Sequence, residues 1–190
     1  MVRAGGRVDL RDFHDANQAF AVDEAIRRAR LYEAADIGWF EEPLPADDVD
    51  GHAWLSGATT IPVAIGESLY SPPQFGDYLQ RGACSIVEVD VARIGRTTPW
   101  LKTAHLAEKF NVPVCPHFLK ELHVALCCAA PNARWLENIP QLDDITSERM
   151  AIYEGLRGAQ RSAGTRDSLG FQSNRTVDRR GQPSEHQQNG

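Results

Sequence analysis

The sequence predicts an α/β fold, a partial TIM-type (β/α) barrel of about six βα units. Three observations predict it. Short apolar runs alternate with amphipathic stretches from Val8 to Asn138. Each run ends close to an acidic residue or a histidine: Asp15, Glu41, Glu67, Asp90, His117 and Glu137, spaced 26, 26, 23, 27 and 20 residues apart. A strand, a helix and two loops together need about 20–30 residues. Several runs are also apolar almost throughout, as strands covered on both faces are.

The elements follow in order. VDLRDF at 8–13 reads as a strand leading to Asp15. VDEAIRRARLYEAA at 22–35 has helical periodicity, with Ala25, Ile26, Ala29 and either Tyr32 or Leu31 inward. IGWFEEP at 37–43 is a strand stopped by Pro43. GHAWLSGA is a short helix, and IPVAIGES at 61–68 is the next strand. PPQFGDYLQRG opens on prolines and closes at Gly82, the usual asymmetry of helix ends. SIVEVDV at 85–91 and VPVCPHF at 112–118 are strands, separated by the helix TPWLKTAHLAEKF. ELHVALCCAA is a helix, and ARWLEN at 133–138 is the last strand-like run. Order of this kind requires right-handed crossovers over a parallel sheet.

Residues 1–154 therefore read as one partial barrel domain. After Glu154 the chain turns rich in Gly, Ser, Gln, Asn and Arg and loses apolar periodicity. Residues 155–190 read as a disordered tail outside the barrel. Its arginines would suit an RNA-binding arm, but a solvated tail is the simpler expectation.

Composition narrows the function classes. The chain has 190 residues, 42% hydrophobic and 24% charged, with net charge -6. No basic face is available for nucleic acid or anionic lipid. No apolar run approaches the roughly 18 residues of a membrane span. The segment MVRAGGRVDL has neither a long apolar run nor a small-residue cleavage site, so secretion is not expected. Cys84, Cys115, Cys127 and Cys128 form no C-x-x-C pair and lie in apolar segments. Buried free thiols and a cytoplasmic location are expected.

Asp15, Glu41 and Glu67 are the candidate metal ligands. Three carboxylates at successive strand ends offer hard oxygens suited to Mg²⁺ or Mn²⁺. A cation so held could polarise a substrate carboxylate and stabilise the enediolate left when the adjacent carbon loses its proton. Taken singly, each could instead be a surface acid at a helix start. Asp90 and His117 are candidates for a dyad in which the aspartate fixes the imidazole's tautomer; a structural histidine bonded to backbone is the alternative. Glu137 could hydrogen-bond a substrate carboxylate oxygen. Glu42 should point away from Glu41 if both stay on a strand, and His14 should face away from Asp15. The remaining histidines, His52, His105 and His123, should be solvated or packed. Lys102, Lys109 and Lys120 should be exposed, and the four tryptophans should fill the barrel–helix layer.

These residues also carry a family resemblance. D-A-N-Q at 15–18, W-F-E-E-P at 39–43 and G-E-S at 66–68 resemble the three metal-ligand motifs of the enolase superfamily. V-D-V-A-R-I-G at 89–95, C-P-H-F at 115–118 and W-L-E-N at 135–138 resemble later strand ends of its mandelate racemase/muconate lactonizing enzyme subgroup. The resemblance covers roughly residues 8–150. It implies Mg²⁺ held by Asp15, Glu41 and Glu67, a His117–Asp90 acid/base dyad, and Glu137 beside the substrate carboxylate. Arg93 falls where the subgroup often carries a cation near the dyad. P-H-F-L-K-E-L-H and P-Q-L-D-D-I-T resemble acid-sugar dehydratases acting on galactarate or talarate, which implies an acid sugar as the small-molecule partner.

Two expectations follow from where the pattern departs from the family. The family's Lys-x-Lys strand has no counterpart among the 14 residues before Asp15, and no stretch of these 190 residues is expected to form its capping domain. A barrel of six strands would leave sheet edges open, so homo-oligomerisation or self-association through those edges is expected. A catalytically dead remnant, or an assembly module that keeps the metal site, stands as the alternative to an active lyase.

Overall fold

The computed structural model describes residues 2 and 3, 14–139 and 142. All of them but Leu142 fall within one compact unit. The predicted strand over 8–13, the boundary at 154 and the tail over 155–190 lie outside the described residues.

Six short strands and five helices occur among those described: β1 (Val2–Arg3), β2 (His14–Asp15), α1 (Val22–Ala34), β3 (Phe40–Glu41), α2 (Val49–Ala58), β4 (Val63–Ile65), α3 (Pro72–Gln80), β5 (Ile86–Val87), α4 (Thr97–Lys109), α5 (Lys120–Ala129) and β6 (Trp135–Leu136). Strands β2 to β5 form a parallel sheet in chain order. Parallel bridges Val87–Val114 and Val114–Ala133 carry the same order onward to the segment before β6. The fold is thus the α/β arrangement of successive βα units that the spacing implies.

One strand breaks the parallel pattern. β1 pairs antiparallel with β6, Val2 opposite Leu136 and Arg3 opposite Trp135. An open sheet edge offers unpaired backbone groups to any extended segment in reach, and here this chain's own residues cover it at β6.

Side-chain parity assigns the two faces, because successive strand residues point to opposite sides. Phe40, Val63, Ile65, Val87, Val89 and Val114 join the larger core. Helix residues meet them there: Ala25 and Ala29 of α1, Phe75, Tyr78 and Leu79 of α3, and Trp100, Ala104 and Ala107 of α4. The α4 set follows i, i+4, i+7, the buried stripe of an amphipathic helix. The opposite face carries a smaller cluster of Trp39, Ala64, Ile86 and Cys115, with Trp135 packed on it. Glu41, Glu88 and Asp90 share the parity of that second face, so the polar residues emerge on the face away from the helices.

Helix ends match their sequences. Asp48 caps α2 by accepting the Gly51 N–H at 2.8 Å, and Pro72 and Pro73 occupy the first turn of α3. In α1, Tyr32 is the inward residue, while Leu31 is 60% exposed.

Three expectations need correction. Trp100 sits in the layer between sheet and helices, but Trp39 and Trp135 pack on the opposite face of the sheet, and Trp54 is 70% exposed on α2 and fills no layer. Lys120 is buried at 2% exposure because its ammonium reaches the Ile139 carbonyl at 3.0 Å and lies 3.6 Å from Glu121. Cys128 is exposed, whereas Cys84, Cys115 and Cys127 are buried; none of the four forms a disulfide among the described residues.

The close approach of β4 to β5 depends on one glycine. Gly66 has φ 142°, and a Cβ there would lie 2.8 Å from Phe75 Cε1 and 2.9 Å from the Glu88 amide nitrogen. Side chains rarely adopt that φ, and the neighbouring backbone has little room to yield. Gly66→Ala is expected to cost about 1–3 kcal/mol, read as a lower urea midpoint at unchanged slope. An unmoved midpoint would show that the two strand ends part freely.

Candidate active site at the strand ends

Each candidate side chain sits at or just past the end of a strand. Asp15 and Glu41 are register partners in the β2–β3 pair. Glu67 lies two residues beyond β4, past the Gly66 turn. Asp90 follows β5, and Glu137 follows β6 directly. His117 leaves the segment that bridges at Val114.

His117 joins two of these acids. Its Nδ1 lies 3.1 Å from Asp90 Oδ2, and its Nε2 lies 3.1 Å from Glu67 Oε2. Burial disfavours the imidazolium, but the Asp90 hydrogen bond and the charges of Glu67 and Glu137 outweigh it, so the His117 pKa is raised. Burial likewise opposes ionisation of Asp90. The bond from His117 and the amides of Ala92 and Arg93 more than offset it, and the Asp90 carboxyl ends below its ordinary range.

Arg93 spans the same pair of acids. One guanidinium nitrogen donates to the Glu67 carbonyl at 2.7 Å and lies 3.7 Å from its carboxylate, while Nε is 4.0 Å from Asp90 Oδ2.

Glu41 is 5% exposed and accepts the Trp39 indole N–H at 3.1 Å. Burial pushes its carboxyl up to about 7; the Trp39 bond opposes this, and the charges of Asp15, Glu137 and Glu67 add to it. Glu67 is also raised, chiefly by burial. Glu137 accepts the Phe118 N–H at 2.5 Å. Asp15 is exposed and accepts the Asn17 N–H at 2.8 Å.

The six predicted residues therefore lie in one another's fields, with His117, Asp90 and Glu67 in direct contact. Among the described residues, no three His, Cys, Asp or Glu side chains close on one point as a finished cation cage. The donor set still fits Mg²⁺ in kind. Asp15, Glu41 and Glu67 supply hard anionic oxygens, and Glu41 and Glu67 crowd like charges in a buried setting that a divalent cation would relieve.

Glu42 turns away as expected. Its φ of 35° takes the chain out of the strand, and its carboxylate accepts from the Ser68 amide and hydroxyl and from the Gln18 amide. That network ties the loop after β2 to the loop carrying Glu67. His14 packs on Tyr32 and Phe40, with ring centroids 4.7 and 5.9 Å away, on the helix side.

Two buried groups carry more than the sequence reading gives them: Glu88, which it passes over, and His123, which it takes only as solvated or packed. Glu88 is 2% exposed with Oε2 unpartnered, and burial holds its carboxyl well above the usual range. The signal was available, because Glu88 stands two residues before Asp90 and shares its face. His123 is fully buried; its place in the stripe Lys120, His123, Cys127 marks the inward side of α5.

A parallel α/β sheet with carboxylates and a His–Asp pair on successive strand ends defines the barrel-mouth acid/base sites of (β/α) proteins. The chain belongs to the enolase superfamily, in its mandelate racemase/muconate lactonizing enzyme subgroup, and residues 3–164 match the Enolase C-terminal domain-like family. The L-talarate/galactarate dehydratase of Salmonella typhimurium is 37% identical over 141 residues, 74% of this chain and 35% of that protein. The 3,6-anhydro-alpha-L-galactonate cycloisomerase of Streptomyces coelicolor is 33% identical over 142 residues, 74% of this chain and 39% of that protein. The crystal structure of L-talarate dehydratase from Polaromonas sp. JS666, complexed with Mg and L-glucarate, aligns with a TM-score of 0.71 at 40% identity, over 74% of this chain and 38% of that one. The chain spans little more than a third of the length of these relatives. No helix among the described residues is long and apolar enough to cross a membrane.

Proposed function

We propose that this chain carries an acid-sugar dehydratase site of the enolase type, with Mg²⁺ held by Asp15, Glu41 and Glu67 and with His117 as the acid/base group. One observation carries the reading: the His117 ring is hydrogen-bonded to Asp90 through Nδ1 and lies within ion-pair distance of Glu67 at Nε2, both at 3.1 Å. That contact links the proton-transfer pair to a candidate cation ligand.

The residues divide the work. Asp90 accepts a hydrogen bond from the Nδ1–H and fixes the tautomer, so Nε2 is the atom that exchanges a proton with substrate. Glu67 releases Nε2 when its oxygens turn to a cation. The bound Mg²⁺ would supply positive charge against a substrate carboxylate. His117 then takes the proton from the carbon beside that carboxylate. The hydroxyl on the next carbon leaves with a proton returned by the imidazolium, so water is lost and the resulting enol tautomerises to a 2-keto-3-deoxy acid. Glu137 lies beside the carboxylate position, and Arg93 holds Glu67 and Asp90 in place.

The same reading places the barrel domain over residues 1–154 and the tail over 155–190; the family match over 3–164 supports the barrel and runs ten residues past that boundary. It places the protein in the cytoplasm, supported by four cysteines that form no disulfide among the described residues. A second reading, a dead remnant or an assembly module, is favoured by the unclosed ligand set.

The test is direct. The chain is incubated with Mg²⁺ and a panel of galactarate, L-talarate and glucarate, and 2-keto acid is followed while light scattering records its oligomeric state. Product from any of these sugars supports the enzyme. No product from all of them removes it, and a defined oligomer would then favour assembly. Calorimetry addresses the cation separately: Glu41→Gln and Glu67→Gln are each expected to weaken Mg²⁺ binding by about tenfold or more, since even outer partners of metal ligands are worth about that much. Equal binding by both variants would remove the ligand assignment.

A further inference from the structure

His123 takes no part in the chemistry above, yet it is held in a demanding place. It lies on α5 with no exposed surface. Its Nε2 accepts the Val91 N–H at 3.0 Å. A ring nitrogen that accepts from a peptide N–H carries no proton, so the proton resides on Nδ1. That atom is buried without a hydrogen-bond partner. Burial also pushes the ring's pKa down to about 4, which keeps Nε2 an acceptor through the neutral range. An apolar side chain would fill the same space without a stranded donor, so packing alone does not call for histidine.

The reason lies at Val91. The sheet's bonding to β4 ends with the Glu88 N–H on the Ile65 carbonyl at 2.8 Å, and the Val91 amide donates to His123 instead of a neighbouring strand. The groups around it are all engaged. Val89 O accepts the Trp100 indole N–H at 3.0 Å. The Ala92 and Arg93 amides donate to Asp90 Oδ1 at 2.7 and 3.4 Å. Asp90 Oδ2 is left for His117. Trp100 from α4 and His123 from α5 therefore clamp the main chain on both sides of Asp90. Without His123, the Val91 N–H would be a buried donor with no partner, on the peptide that directly follows Asp90.

We infer that His123 is a positioning residue for Asp90: by accepting the Val91 N–H it fixes the peptide that follows Asp90, and with it the carboxylate oxygen offered to His117. This rests on the reading of Asp90 and His117 as the acid/base pair.

The test uses the full chain, labelled with ¹⁵N, and needs no substrate. Wild-type protein should show a scalar coupling between the Val91 nitrogen and His123 Nε2 across the hydrogen bond. It should also show a strongly deshielded His117 Nδ1 proton from the bond to Asp90. His123→Leu should speed amide exchange at Val91 by about tenfold or more, as expected for a broken local bond. Exchange at Val63 and Val87 should stay unchanged, and the His117 resonance should shift or broaden. His123→Gln, which keeps an acceptor near the Nε2 position, should restore both signals, an outcome a purely structural role would not give. If the leucine variant does not fold, His123→Met fills the same space and takes its place. Absence of the coupling in wild type overturns the proposal. A His117 resonance that is identical in wild type and in the leucine or methionine variant removes the positioning role alone. No deshielded His117 proton in wild type removes the Asp90–His117 pair itself and the inference with it.

Discussion

His117→Asn is expected to slow α-proton exchange and 2-keto acid formation by about 10²–10⁴-fold, the range for losing a general acid/base. Asparagine keeps an amide that can donate to Asp90, but it has no nitrogen that accepts and returns a proton at pH 7. The variant should still bind Mg²⁺, because His117 touches Glu67 without being one of the three carboxylate ligands. Deuterium incorporation from D₂O reports proton removal separately from loss of the β-hydroxide, and calorimetry reports the cation. Exchange at the wild-type rate would show that another group removes the proton. Exchange lost together with Mg²⁺ binding would show that the imidazole acts through Glu67. The predicted pattern is catalysis lost with binding retained, and it follows from the ring's two contacts, one to each acid.

The sequence exposed the strand ends well because their signals are local. A strand residue's face follows from parity, and its distance from the next strand follows from the length of one βα unit. Glu41 beside Trp39 and Asp90 beside Glu88 obey the first rule, and the spacing from Asp15 to Glu137 obeys the second. The helices are equally readable, since α4 buries Trp100, Ala104 and Ala107 at helical intervals.

What escaped the sequence depends on partners distant along the chain. Lys120 looks like a surface lysine until the Ile139 carbonyl is brought to its ammonium. His123 looks like a packing residue until the Val91 amide arrives from 32 positions away. The antiparallel β1–β6 pair joins residues 2 and 3 to residues 135 and 136, and nothing in either dipeptide announces the other. Trp54 misleads in the opposite sense, because an aromatic on a short helix suggests core by type alone. The site's charge balance is legible only in part. Asp15, Glu41 and Glu67 announce a hard-ion donor set by residue type, but the Trp39 hydrogen bond to Glu41 and the close approach of His117 Nε2 to Glu67 show how those oxygens are engaged within the chain itself.

Trp100→Ala is expected to destabilise the protein by about 3–5 kcal/mol, the range for removing a large buried aromatic. That is a large share of the roughly 5–15 kcal/mol that holds a typical domain together. Trp100 is fully buried among Val89, Ala104 and the other core residues between sheet and helices. Its indole N–H is the partner of the Val89 carbonyl, so truncation opens a cavity and strands a buried acceptor together. The two contributions can be separated. Trp100→Phe keeps most of the volume and loses only the hydrogen bond, and should cost about 1–2 kcal/mol, the usual range for one such bond with a little lost packing. Urea unfolding of the three proteins checks this, and parallel slopes would license the comparison. Equal losses for the two variants would mean that the indole bond, not the packing, holds α4 against the sheet. A loss under about 1 kcal/mol for alanine would mean that the core closes over the gap. Because the Val89 carbonyl stands one residue before Asp90, Trp100→Phe should also disturb the His117 proton signal more than a core change elsewhere, such as Phe75→Leu. That connects the packing of α4 to the geometry of the acid/base pair through one strand end.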